Sequence, residues 1–251
     1  MKFLLATDLD NTLIGDDRAT IALNQKLASA REQVCLVYAT GRSLVSYQEL
    51  CRDFLKRTDQ SLLEPDYLVT GVGSQIYSEN TLDRKWAEQI SRGWEREAIA
   101  LLAKSMPELL PQSQSEQNQW KLSYLLDSKH NDAIVKELKD RLDQMGIKAQ
   151  IIFSSDRDLD ILPKDSGKGK AVNYLRDKLQ IPREYALVCG DSGNDIAMFE
   201  QMTLGAIVRN SQQELLVWQQ LHSHPYRYLS PSAYAWGILE AIAHFKIPIF
   251  V

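Results

Sequence analysis

The sequence predicts an α/β protein, a doubly wound parallel sheet with helices on both faces, interrupted by a smaller α+β insert. Three observations carry this expectation. Short apolar runs alternate with stretches of helical spacing. Several of those runs stop on carboxylates or glycines, as strands do when their carboxyl ends open onto a site. Between about residues 82 and 158 the alternation lapses into tryptophan-bearing and polar segments. At 251 residues, with 44% hydrophobic and 25% charged side chains, the chain is long enough to bury about three quarters of its unfolded surface.

Taken in order, Phe3 to Thr7 is an apolar run stopped by Asp8 and Asp10, the first strand. Ala19 to Glu32 sets Ile21, Leu23 and Leu27 near helical spacing, and Val34 to Ala39 is the second strand, which completes a β-α-β unit. Ser43 to Lys56 reads as a helix and Tyr67 to Thr70 as a third strand, followed by the turn Gly71-Val72-Gly73-Ser74. The change of texture then brings Trp86, Trp94 and Trp120, a polar stretch from Pro111 to Gln119, and a helix from Asn131 to Met145 ended by Gly146. Aromatic residues in so small a unit are expected to form its core. The parallel rhythm resumes with a helix from Gly169 to Leu179, the run Ala186 to Cys189, a helix from near Asn194, and the strand Gly205 to Val208. The expected division is a core of residues 1–82 and 159–251 around an insert of 83–158.

Composition narrows the function. A net charge of −4 argues against a nucleic-acid partner, which rewards a basic face. Cys35, Cys51 and Cys189 have neither disulfide nor zinc spacing. The apolar start meets Asp8 too soon for a signal peptide or membrane span. A cytoplasmic monomer without membrane association is the expectation. His130, which opens a helix, and His222 and His224 show no partner pattern, and no histidine is assigned a catalytic role.

Four motifs carry the chemistry. Asp8-Leu9-Asp10-Asn11-Thr12 sets two carboxylates at a strand's carboxyl end; like charges buried together need a cation, and oxygen ligands without His or Cys suit Mg²⁺. A turn or helix N-cap would use the same residues. Thr40-Gly41-Arg42 offers a hydroxyl, a flexible backbone and a guanidinium, all phosphate-binding groups, although a plain strand-to-helix turn reads the same way. Gly167-Lys168-Gly169-Lys170 opens a helix, where anions bind, without saying which lysine matters. Gly190-Asp191-Ser192-Gly193-Asn194-Asp195 adds two carboxylates and an amide on a tight turn and lacks the ligand spacing of a calcium loop.

Their order resembles the haloacid dehalogenase superfamily of phosphotransferases. The likeness within it to sucrose-phosphate phosphatases runs nearly end to end, through Ala6-Thr7-Asp8-Leu9-Asp10-Asn11-Thr12, Tyr38-Ala39-Thr40-Gly41-Arg42, Glu64-Pro65-Asp66-Tyr67, Glu116-Gln117-Asn118, Trp120-Lys121-Leu122-Ser123-Tyr124 and Val188 to Asp195. The resemblance implies a Rossmann-like core with a cap, hydrolysis of sucrose 6-phosphate, Asp8 as nucleophile and Asp10 as general acid and base. It also implies phosphate binding by Thr40, Gly41, Lys168 and Asn194, and Mg²⁺ held by Asp8, the Asp10 carbonyl and Asp191, with Asp195 orienting that shell. Arg42, Asn118 and Lys121 are the candidate substrate contacts, Arg42 for phosphate or sugar and the other two for sugar hydroxyls. Gln119 stands where proline is expected, and the stretch from Ile247 to Val251 is unusually apolar. Other sugar phosphates (mannosylglycerate, trehalose or hexose phosphate), a phosphomutase, and a non-catalytic sensor remain open, as does association with a sucrose-phosphate synthase.

Overall fold

The structure, a computed structural model, describes residues 2–126, 131–154, 157–201, 203–247 and 249. His130 and part of the apolar carboxyl stretch lie outside them. Strand β1 (Phe3–Thr7) leads through α1 (Asp17–Ser29) to β2 (Val34–Ala39), and α2 (Leu44–Thr58) leads to β3 (Tyr67–Thr70). The Asp16 carboxylate caps α1 by accepting the Arg18 and Ala19 N–H groups, and Ser43 caps α2 through the Ser46 N–H. The hairpin strands β4 (Gln75–Ser78) and β5 (Thr81–Leu82) then pair antiparallel at one edge.

After α3 (Arg84–Ile90), the helix α4 (Arg96–Lys104) and β6 (Leu110–Pro111) begin a second sheet with β7 (Leu122–Leu125). Helix α5 (Asn131–Gln144), β8 (Ala149–Ser154) and β9 (Asp158–Pro163) complete it. The chain returns through α6 (Lys168–Lys178), β10 (Ala186–Gly190), α7 (Ile196–Phe199), β11 (Leu204–Ile207), α8 (Gln213–Leu221), β12 (Arg227–Leu229) and α9 (Tyr234–His244).

Among the described residues the main sheet runs β12-β11-β10-β1-β2-β3-β4-β5, parallel except for the β3-β4-β5 hairpins. Side chains alternate across it with the two-residue period of a strand. Phe3 and Leu5 join a cluster with Leu23, Leu27, Phe54 and Ile238 on one face. Leu4 and Ala6 join Trp86, Ala171, Leu175 and Leu215 on the other. Helices therefore cover both faces, as a sheet with fully buried strands requires. The second sheet, β6-β7-β9-β8, is antiparallel and has its own cluster around Ile99, Leu122, Leu138 and Ile161.

The packing bears on the expected limits of the insert, 83 and 158, at both ends. Trp86 and Ile90 of α3 pack into the main sheet's cluster, and β9 pairs with β7 and β8 as far as Pro163. We propose a division near residues 92–93 and 164–167. Trp120 also enters the main sheet's cluster, so two of the three tryptophans pack outside the insert's own core.

Candidate active site

β1 is the strand at which the order of the main sheet reverses, with β2 on one side and β10 on the other. A crevice opens at the carboxyl ends of strands at such a point. The Asp8 N–H donates to the Cys189 carbonyl at 3.0 Å, and Asp191 directly follows β10. Two motifs far apart in sequence thus meet because their strands are neighbours.

The carboxylates of Asp8, Asp191 and Asp195 are buried, with an oxygen of each within 4.8 Å of the others. Lys168 Nζ, 1% exposed, donates to Asp8 Oδ1 and to Asp195 Oδ1, both at 2.7 Å. Asp195 Oδ2 accepts the N–H groups of Asp191 and Ser192 at 3.0 and 3.1 Å, so this carboxylate closes the turn and anchors the lysine. Asp191 Oδ1 accepts the Thr12 hydroxyl at 2.9 Å. Asp191 Oδ2 and Asn194 Oδ1 are buried without a hydrogen-bond partner among the described residues, which is costly unless something else supplies one.

Three carboxylates against one ammonium leave two negative charges uncompensated when all are ionised. Burial, reinforced by Asp195 and Asp191 against the pull of Lys168, raises the Asp8 pKa well above the usual carboxylate range. Burial, with Asp195 beside it, pushes Asp191 up to about 7. Burial alone would lower the Lys168 pKa, but Asp195 and Asp8 outweigh it and keep the ammonium charged. A hard divalent cation matches this deficit: Asp8 and Asp191 offer carboxylate oxygens, and Asp191 Oδ2 is an orphaned one.

Of the sequence-expected residues, Thr40, Gly41 and Arg42 follow β2 beside this centre. The buried Thr40 hydroxyl accepts the Arg42 N–H at 3.1 Å. Arg42 grips both oxygens of Asp10, Nε to Oδ2 at 2.8 Å and the second terminal nitrogen to Oδ1 at 2.7 Å, and reaches Ser46 Oγ at 2.9 Å. Asp8, Asp10, Gly41, Arg42, Lys121, Lys168, Asp191 and Asn194 line one cleft of about 310 Å³ between the two sheets, at the small end of ligand cavities.

Asn118 stands apart from that group. Its side-chain N–H₂ donates to Ser74 Oγ at 2.9 Å and Gln75 Oε1 at 3.3 Å, and its Oδ1 accepts the Trp120 N–H. This amide, expected to meet a sugar, ties the insert to the turn after β3. Lys121, 4% exposed, bridges the insert's Glu116 and Asp160 at 3.7 and 3.5 Å and donates to the Gly41 carbonyl at 3.4 Å.

Sequence reasoning assigned no role to the carboxylates of the insert. Glu116, Asp158 and Asp160, with Gln112 and Ser154, form the cleft wall facing Lys168. The signal was present: Asp158 and Asp160 are one strand period apart, flanking buried Leu159, and so share a face of β9. Trp86, Trp94 and Trp120 do not line the cleft.

A family model described as sucrose-6F-phosphate phosphohydrolase matches residues 1–246. The chain belongs to this family. Within this phosphohydrolase family it is similar to sucrose-phosphatase 1 of Nicotiana tabacum, 33% identical over 98% of this chain and 60% of that protein. The chain thus spans about three fifths of the plant protein's length. It is 32% identical to a mannosylfructose-phosphate phosphatase of Agrobacterium fabrum over 97% of both chains. A crystal structure of the sucrose-phosphatase from Synechocystis sp. PCC6803, in complex with sucrose and phosphate, superposes with a TM-score of 0.92 at 44% identity, covering 98% of this chain and 99% of that one. A haloacid dehalogenase-like hydrolase from Bacillus subtilis, at 21% identity and a TM-score of 0.67, shares the fold.

Proposed function

We propose that the protein is a Mg²⁺-dependent phosphatase that hydrolyses sucrose 6-phosphate to sucrose and phosphate through a phosphorylated Asp8. The observation that carries the reading is a buried carboxylate, Asp8, held by Lys168 beside Asp191 and Asp195, in a cleft whose other wall presents hydroxyl-accepting carboxylates. Likeness to the Synechocystis enzyme, seen with sucrose and phosphate, supports the substrate.

Phosphoryl transfer depends on positioning and on neutralising the charge of the equatorial oxygens. Mg²⁺, held by Asp8, the Asp10 carbonyl and Asp191, would supply that neutralisation and keep Asp8 ionised. Asn194 and Asp195 support that shell, and Lys168, Thr40, Gly41 and Asn194 hold the phosphate. An oxygen of Asp8 attacks phosphorus as the bond to the sugar oxygen breaks, and Asp10 gives that oxygen a proton. Water then attacks phosphorus, passes a proton to Asp10, and the bond to Asp8 breaks. Because Arg42 occupies both Asp10 oxygens, this exchange requires the pair to open. A phosphate monoester offers Arg42 an alternative bidentate anion. Lys121, Glu116 and Asp160 would receive the sugar hydroxyls.

Phosphate release from a panel of sugar phosphates, with and without Mg²⁺ and with Asp8→Asn as control, tests this. Sucrose 6-phosphate should be hydrolysed fastest, only with Mg²⁺, and not by Asp8→Asn. Preference for mannosylfructose phosphate, the reading favoured by the relative of matching length, would keep the chemistry and change the substrate. Absence of Mg²⁺-dependent release from every substrate would reject both.

A further inference from the structure

Val72 occupies a backbone conformation that a β-branched residue rarely adopts. Its φ is 57° and its ψ 32°, between Gly71 at φ 53° and Gly73 at φ 90°. Glycine would sit there freely, whereas valine is strained. Such a residue persists only where its surroundings hold it and its side chain is used.

The surroundings are the phosphate loop. The Val72 N–H donates to the Thr40 carbonyl at 3.0 Å, and the Gly71 N–H donates to the Arg42 carbonyl at 2.9 Å. The Thr40–Gly41 and Arg42–Ser43 peptides, at the two ends of the loop, are thereby held from behind. The Val72 side chain is 1% exposed, lines the cleft, and stands over the bare face of Gly41, where an added β-carbon would come within 3.8 Å of Val72 Cγ2. On the other flank, a β-carbon on Gly73 would fall 2.2 Å from the Gly167 carbonyl carbon and 2.6 Å from the Lys168 nitrogen. One short loop therefore abuts both phosphate-binding segments, Thr40-Gly41-Arg42 and the start of α6.

We propose that Val72 is a positioning residue for phosphate: a strained wedge whose methyl group over Gly41, together with two backbone hydrogen bonds, fixes the Thr40-Gly41-Arg42 loop in its binding geometry. Gly41 has no side chain to limit its backbone, so a loop without the wedge samples more conformations, and a preorganised anion site loses affinity when its donors wander. The proposal rests on the reading that this loop holds the phosphate.

The test measures competitive inhibition by orthophosphate, and kcat and KM separately, for the wild-type protein and for Val72→Gly, Val72→Ala and Val72→Thr. All are assayed with Mg²⁺ below their unfolding transitions. Val72→Gly and Val72→Ala should weaken orthophosphate inhibition by roughly tenfold or more and lower kcat. Val72→Thr keeps the branched shape and should stay within about threefold of wild type even though its buried hydroxyl lowers the melting temperature. If Val72→Gly does not fold, Val72→Ala decides. Orthophosphate inhibition unchanged within about twofold in the folded Gly or Ala variant overturns the wedge, as does an equal loss in Val72→Thr. A wild-type protein that orthophosphate does not inhibit removes the phosphate reading and the wedge together.

Discussion

At the scale of single residues the site is governed by Lys168. It is a buried cation bonded to both Asp8 and Asp195 at the floor of the cleft. Removing one partner of a buried charge cluster leaves the others uncompensated. Lys168→Met is therefore expected to lower unfolding stability by about 3–5 kcal/mol in urea titrations and to slow phosphate release by roughly a hundredfold or more. Asp191 gives the pH dependence. Its pKa, pushed up to about 7 by burial and then by Asp195, means that the folded metal-free chain retains a proton that the unfolded chain releases near 3.8. The stability of the metal-free protein then falls as pH rises between those two values. A divalent cation competes with that proton, so Mg²⁺ should raise the melting temperature more at pH 8 than at pH 5.5. Equal shifts at both pH values would count against Asp191 as a ligand.

At the scale of elements, close approach of backbones presents these residues. A β-carbon on Gly169 would lie 2.0 Å from the Ala197 carbonyl oxygen, so α6 meets α7 only because residue 169 is glycine. Gly169→Ala is expected to push α6 away, shift Lys168, and lower both melting temperature and kcat. Far from the cleft, Asp83 caps α3 through the Trp86 N–H and accepts from Lys178 Nζ at 2.8 Å and from the Tyr174 hydroxyl. Asp83→Ala should cost about 2 kcal/mol with kcat unchanged. Sequence was informative wherever one element determines its own form: the runs of β1, β2 and β10 announce fully buried strands, and the carboxylates after β1 and β10 announce the candidate site. Short pieces were opaque. β6, β12 and the β4-β5 hairpin are two to four residues long, too brief for a period to show, and they are strands because neighbours supply their hydrogen bonds. The partners of Asn118 were illegible for a related reason, since nothing local in the sequence announces an amide bound to Ser74 and Gln75.

At the scale of the molecule, two sheets face each other across the cleft, and the chain crosses between them near residue 93 and residue 167. Both Gly93 (φ 75°) and Gly167 (φ 111°) hold conformations that favour glycine. Backbone swivels placed at both crossings suit rigid-body closure of the insert. Small-angle scattering should show a more compact particle when sucrose and phosphate are added with Mg²⁺. Gly167→Ala should diminish that change, and a profile unaffected by ligand would exclude closure. The strand order also sets a timetable for synthesis. Leu4 pairs with Cys35 on one side and with Ala186 on the other, so β1 can join β2 early, but its seam with β10 waits for a far later segment, whereas the antiparallel sheet of the insert pairs segments lying between Leu110 and Pro163. The insert's sheet is free to form before that seam closes. Asp8 and Asp191 therefore meet only when the β1–β10 seam closes, and the buried charge cluster they form with Lys168 and Asp195 comes into being late in folding.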